Sequence, residues 1–131
     1  MKIVGIGVDI IENSRINRLV SNKKFINRVF SKSEIIKSKR IKKKSLYFAK
    51  RFSAKEAFVK SLGFGLRNGI NFSDISIVND KLGKPSFSVN NKINMLIKKK
   101  HKTNSFNFFL SISDEKKYSI AFVVFQNNEN R

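Results

Sequence analysis

The chain has no cysteine and no tryptophan, one proline and one histidine, and only 9 acidic residues among 131. Without cysteine there is no disulfide, no thiolate zinc site and no cysteine nucleophile. The lone histidine, His101, stands in the basic run KKKHK, where it reads as solvated surface decoration. Histidine-based triads and histidine-rich metal sites are therefore not expected. Long apolar runs are also missing. The opening MKIVGIGVDII sets Lys2 ahead of an apolar stretch, but that stretch is short, is interrupted by Asp9 and lacks a small-residue cleavage site. Nothing approaches the roughly 18 to 20 apolar residues of a membrane span. The expectation is a soluble, cytoplasmic protein whose residues 1–131 form one domain with a core of its own.

What the chain has in excess is positive charge: 28 Lys and Arg against 9 acids, a formal net charge of +19. Such a balance suits an acidic protein, a nucleic acid, a membrane surface or a phosphate-rich ligand. The richness in Lys, Asn, Ile and Phe with little Pro, Ala or Trp is also the bias of an AT-rich genome, so the charge alone decides nothing.

Residues 3–11, IVGIGVDII, alternate like a strand. Val4, Ile6, Val8 and Ile10 share one face; Gly5, Gly7 and Asp9 share the other, which has no bulk except a carboxylate. A ligand or a neighbouring backbone can approach such a face closely. Residues 13–21 read as a short helix opened by Asn13 or Ser14, and Ser31 to Glu34 have capping-box spacing. A longer helix follows Ser45 and ends at Gly63, a residue suited to the left-handed position after a helix. A glycine-rich loop, GFGLRNG, comes next. ISIV, SFSV, NFFLSIS and YSIAFVVF read as strands, NDKLGKP as turn chemistry and KINMLIKKK as a short helix. The expected fold class is α+β, a mainly antiparallel sheet packed against a long helix.

In that helix Phe48, Phe52, Val59 and Leu62 spread over a wide apolar arc. Arg51 and Lys55 fall inside it, and Glu56 lies at its edge one turn before Lys60. Burying such charges without partners costs several kcal/mol each. A Glu56–Lys60 pair worth about 0.2–0.5 kcal/mol explains two of them, but not Arg51 and Lys55 among phenylalanines. The alternative is that Asp9 and Glu56, with several cations, bind a magnesium–pyrophosphate group.

Four stretches then carry a resemblance. GIGVDII, AKRFSAKEAFVKSLGFG, NDKLGKP and SISDEKKYSIAFVV resemble, in order and spacing, the holo-acyl-carrier-protein synthases, the small bacterial members of the 4'-phosphopantetheinyl transferase family. The resemblance covers nearly the whole chain. It implies transfer of 4'-phosphopantetheine from coenzyme A to a carrier-protein serine, releasing 3',5'-ADP. It further implies that Asp9 and Glu56 hold Mg²⁺ and that Lys60 contacts the pyrophosphate. Glu56 is the implied base for the serine. Arg51, Lys55, Gly65, Gly83, Lys84 and Pro85 are implied contacts of the coenzyme. Arg15 and Arg18, with Lys24 and Arg28, would face the acidic acyl carrier protein, and the family implies a homotrimer with sites between subunits.

Two positions depart from the pattern. Asp114 stands in SISD where many family members read SISH, although the enteric-type branch is similar to this chain there. Phe64 replaces a smaller, polar residue. Two other readings remain open: a basic nucleic-acid-binding module, favoured by charge and thirteen phenylalanines, and a magnesium-dependent phosphohydrolase using water in place of the serine. The first lacks an exposed aromatic row interleaved with Lys or Arg.

Overall fold

The computed structural model describes residues 1–65 and 69–129, so Leu66 to Asn68 of the glycine-rich loop lie outside the described residues. The elements run β1 (Lys2–Glu12), α1 (Asn13–Leu19), α2 (Lys23–Val29), α3 (Lys32–Ser38), α4 (Lys44–Leu62), a 3-10 turn (Phe72–Asp74), β2 (Ile75–Asn79), β3 (Pro85–Val89), α5 (Asn91–His101), β4 (Phe106–Asp114) and β5 (Tyr118–Asn127). The α+β architecture expected from the sequence is present, with the strands divided between two antiparallel sheets: β1-β5-β4 and the hairpin β2-β3.

Helix α4 is the axis of the molecule. Its buried residues run from Tyr47 to Leu62, and Gly63 closes it with φ 78°, the left-handed conformation that glycine adopts without a Cβ penalty. One flank of α4 lies on the three-stranded sheet, where Ala54 and Ala57 pack with Ala121 and Val123 of β5 and with Ile77 of the hairpin. Another receives α1 and α2 through Ile16, Ile26, Val29 and Phe30, with Ile35 of α3 packed against them. A third cluster joins Phe58 and Leu62 to Ile75, Ile93, Ile97 and Phe125. Four of the thirteen phenylalanines are buried (Phe30, Phe48, Phe58, Phe125) and only Phe109 and Phe122 are exposed. Those two sit on a sheet and not in a basic row, so the phenylalanines serve packing and leave the nucleic-acid reading unsupported.

The sheet has an unusual inside-out character. Pairing of Gly7 with Val123 and of Asp9 with Ala121 puts the small residues of β1 toward α4. The bulky set points away: Ile6, Val8 and Ile10 are 61%, 52% and 60% exposed, and Phe122 and Phe109 are 44% and 51% exposed. A row of apolar side chains on open surface marks an interaction face.

The capping box forms as the spacing requires: Ser31 Oγ accepts from the Glu34 amide, and Glu34 Oε1 accepts from the Ser31 amide. Glu34 does more than cap. It is 1% exposed, its Oε1 lies 2.6 Å from Lys55 Nζ, its Oε2 accepts from the Ile77 amide, and its carbonyl accepts from the Tyr47 hydroxyl. Two expectations are corrected. Asn13 does not open α1 as its cap; its amide donates to the carbonyls of Glu115 and Lys116, and Glu12 holds the cap position. His101 is not surface decoration. It is half-buried, edge-on to Phe125 at 4.7 Å, with Nε2 donating to the Leu62 carbonyl at 3.0 Å. Because a carbonyl only accepts, that contact fixes the proton on Nε2.

Candidate active site

The site begins at the seam between β1 and α4. A β-carbon placed on Gly5 would stand 1.9 Å from the Ser61 carbonyl oxygen, and one on Gly7 would stand 1.9 Å from that of Ala57. Strand and helix backbones therefore meet directly, and glycine is the one residue that permits it. The approach foreseen for the glycine face is made by this backbone.

Asp9, the next residue on that face, emerges where the seam opens. Lys60 reaches across from α4 and donates to Asp9 Oδ1 at 3.3 Å and to the Val8 carbonyl at 3.0 Å. Glu56 lies one helical turn before Lys60. The burial of each carboxylate raises its pKa. In Asp9 this is opposed by the hydrogen bond and charge of Lys60 and by Arg15. In Glu56 the negative charge of Asp9 raises it further, while Lys60 and Arg15 lower it. Asp9, Glu56, Lys60 and Arg15 thus form one electrostatic unit assembled from β1, α1 and α4.

Two repelling, half-desolvated carboxylates fit a hard divalent cation, which would relieve both the repulsion and the loss of hydration. Among the described residues no cluster of three or more His, Cys, Asp or Glu forms. Oxygens of water and of a phosphate would have to complete the shell, as suits Mg²⁺ bound together with its substrate.

The residues expected to meet the coenzyme separate into different environments. Arg51 stacks on the Tyr47 ring at 3.6 Å and donates to the Tyr47 carbonyl and to Asn79 Oδ1. Asn79 in turn donates to the Gly83 carbonyl. Asp80 closes the β2–β3 turn by accepting from the Leu82 and Lys84 amides, and Gly83 supplies φ 89°. Arg51, Gly83, Lys84 and Pro85 are therefore organised at one end of the hairpin. Lys84 and Pro85 open onto a groove of about 630 Å³ between β3 and β4. Gly65 is exposed at the edge of the described loop.

Lys55 does not belong with them. Its ammonium has no exposed surface and donates to Glu34 Oε1 at 2.6 Å and to the carbonyls of Val29, Phe72 and Ile75 at 2.6–2.9 Å. An ammonium has three protons, so no donor is left for a phosphate. Burial lowers its pKa to about 8, with Glu34 opposing. The expectation of a coenzyme contact is corrected to a structural role, tying α4 to α3 and the start of β2.

Arg15 and Arg18 line a shallow cavity of about 360 Å³ with Ile10, Ile11, Glu12 and Tyr118. Lys24 and Arg28 are exposed on α2. Asp114 pairs with Lys50 at 3.5 Å and borders a basin of about 820 Å³ rimmed by Lys42, Lys43, Lys44 and Lys116. Phe64 lies against His101 and under Lys100. The pairing of Glu34 with Lys55 and the bridging role of Asn79 do not show in the sequence. The capping motif flagged Glu34, but its partner Lys55 is 21 residues away and nothing local reveals the pairing.

A sequence profile described as the 4'-phosphopantetheinyl transferase superfamily matches residues 5–123. The chain belongs to this superfamily. It is 60% identical over 126 residues to the holo-[acyl-carrier-protein] synthase of Pelagibacter ubique (strain HTCC1062), covering 96% of this chain and 98% of that relative. Against the protein of the same description from Aliivibrio fischeri (strain MJ11) the identity is 41%, over 96% of this chain and 99% of that one. Among solved structures, the holo-[acyl-carrier-protein] synthase of Neisseria meningitidis superposes with TM-score 0.87 at 36% identity, covering 96% of this chain and 100% of that one. The Bacillus anthracis str. Ames synthase, solved in complex with CoA (3',5'-ADP), gives TM-score 0.80 at 34% identity over 96% and 98%. Asp9, Glu56 and Lys60 all fall within the span that matches the phosphopantetheinyl transferase superfamily.

Proposed function

We propose that this protein transfers 4'-phosphopantetheine from coenzyme A to a serine of an apo-acyl carrier protein, giving the holo carrier of fatty acid biosynthesis and 3',5'-ADP. The observation that carries this reading is the convergence of Asp9, Glu56 and Lys60 at the β1–α4 seam of a phosphopantetheinyl transferase fold. Hydrolysis of coenzyme A by the same constellation has no supporting observation beyond the shared chemistry.

In the reaction, the serine Oγ attacks the phosphorus that bears the pantetheine. The bond from that phosphorus to the bridging oxygen breaks, and the oxygen leaves with 3',5'-ADP. Asp9 and Glu56 would hold Mg²⁺, which when bound supplies neutralisation of the pyrophosphate charge. Lys60, 53% exposed at its side chain and held among the described residues by Asp9 and the Val8 carbonyl, is free to swing onto the leaving phosphate and offset its developing charge. Glu56, whose proton affinity is raised by burial and by Asp9, takes the serine proton directly or through water. Arg51, Gly83, Lys84, Pro85 and Gly65 contact the nucleotide. Arg15 and Arg18, with Lys24 and Arg28 behind them, receive the acidic carrier protein and steer its approach.

The active assembly is a homotrimer with sites between subunits. Two observations support it. The outer face of the β1-β5-β4 sheet carries Ile6, Val8, Ile10, Ile120, Phe109 and Phe122 on open surface. In addition, Arg51 and Lys60 are nine residues apart on α4, about 180° around the helix at 100° per residue. One chain thus presents its hairpin end and its carboxylates on opposite sides of α4, and a single coenzyme contacts both by lying between two chains.

The test is incubation with coenzyme A, Mg²⁺ and an apo-acyl carrier protein, following holo carrier and 3',5'-ADP by chromatography. The reading requires the two products in equal amounts. Release of phosphopantetheine with no carrier present would identify a hydrolase instead.

A further inference from the structure

Gly5, Gly7 and Asp9 occupy alternate positions on one face of β1, so the two steps between them are each about 6.7 Å. On α4, Ser61 and Ala57 are four residues apart, about 6.0 Å along the axis. The near match explains why the contacts repeat: Gly5 rests on the Ser61 carbonyl and Gly7 on that of Ala57, with the same 1.9 Å distance to a hypothetical β-carbon. Each contacted carbonyl belongs to the residue that follows a site residue, Ala57 after Glu56 and Ser61 after Lys60. The ladder therefore fixes how far strand and helix stand apart, and how they slide past one another, at the point where Asp9 faces Glu56 and Lys60.

We infer that Gly7, backed by Gly5, is a positioning residue for the Asp9–Glu56 cation site, acting through the backbone contact with Ala57. This rests on the reading of Asp9 and Glu56 as cation ligands. A methyl group at either glycine lifts β1 by on the order of 1 Å, a misplacement that can cost about a hundredfold in rate when it reaches reacting groups. Because Gly7 is two residues from Asp9 and Gly5 is four, the same 1.9 Å approach to a carbonyl oxygen has unequal consequences for the site.

The experiment measures Mn²⁺ binding by electron paramagnetic resonance on the full chain with saturating coenzyme A, against coenzyme A alone, together with thermal melts, for wild type, Gly5→Ala, Gly7→Ala, Asp9→Glu and Gly7→Ala/Asp9→Glu. Both glycine variants should lose a similar amount of stability. Gly7→Ala should weaken Mn²⁺ binding roughly tenfold or more, and Gly5→Ala less than about threefold. Asp9→Glu alone should also weaken binding, yet in the Gly7→Ala background its extra methylene should restore part of what was lost. If the two glycine variants lose Mn²⁺ affinity equally and in step with their melting temperatures, the positioning role is overturned. Should Gly7→Ala not fold, Asp9→Glu in the wild-type background decides: unchanged Mn²⁺ affinity overturns the inference, because a precise seam does not tolerate a longer carboxylate. Absence of Mn²⁺ binding by wild type overturns the cation-site reading and this inference with it.

Discussion

Replacing Lys55 with methionine removes one charge of a buried pair and keeps the volume of the side chain. The structure sets the size of the effect. Glu34, 1% exposed, would lose its cation and keep the amides of Ser31 and Ile77 as donors, and the carbonyls of Val29, Phe72 and Ile75 would lose a donor. Breaking a buried pair from one side costs about 3–5 kcal/mol, against a total stability on the order of 5–15 kcal/mol. For a chain of this length that corresponds to a fall in melting temperature of roughly 10–20 °C. Glu34→Gln should cost less, since an amide retains one acceptor and much of the shape, and the double variant should cost less than the sum of the two. Urea unfolding of the four proteins measures the coupling, expected at about 1–3 kcal/mol. Coenzyme KM in the Lys55→Met variant that remains folded should stay near wild type. A stability loss below about 1 kcal/mol combined with a large rise in coenzyme KM would refute the structural role of Lys55 and restore it to the coenzyme.

Other outcomes follow from the same geometry. Lys60→Gln should bind Mn²⁺ more tightly than wild type, because it removes a cation that competes for Asp9, while phosphopantetheine transfer slows; isothermal titration and a transfer assay read the two effects. Glu56→Gln should melt at a higher temperature than wild type without metal at neutral pH, since it deletes a charge that burial and Asp9 both disfavour. The native pKa of Glu56 is raised, so ionisation costs stability as pH rises above the ordinary value of 4.5 and the advantage of the variant shrinks as pH falls toward it. Phe122→Asp should reduce the molar mass seen by light scattering to that of a monomer and abolish transfer, because it places a charge on the apolar sheet face. Arg15→Glu should raise KM for the carrier protein far more than for coenzyme A, with the difference shrinking at high salt.

Much of the architecture was written locally. The alternation of β1, the four later strand runs, the Ser31–Glu34 capping box and the glycine stop after Leu62 rest on periodicity and cap chemistry within a few residues, and each appears where those rules put it. Helix α2 has little local signature, because seven residues carrying Lys23, Lys24 and Arg28 show only a narrow apolar stripe. Asn22 was the available signal, since its side chain accepts from the Lys24 and Phe25 amides. The site was half legible. Asp9 on a glycine face and Glu56 with Lys60 in a helix are local facts, but their meeting depends on packing between residues about fifty positions apart. Lys55 shows the limit most clearly. A cation within an apolar arc reads equally as ligand-seeking or as one half of a buried pair, and only the fold brings Glu34 to it. His101 illustrates the same point, a residue in a lysine run that the C-terminal turn of α5 directs inward against Phe125.

The central claim is that the Asp9–Glu56–Lys60 constellation moves phosphopantetheine onto a carrier protein. Its most direct test is the intact mass of an apo-acyl carrier protein after incubation with this protein, coenzyme A and Mg²⁺, beside parallel reactions with Glu56→Gln and with EDTA. The account predicts a mass gain of one phosphopantetheine with wild type, suppressed by the substitution and by the chelator. An unmodified carrier that a known synthase readily converts, or full conversion by Glu56→Gln, would contradict it.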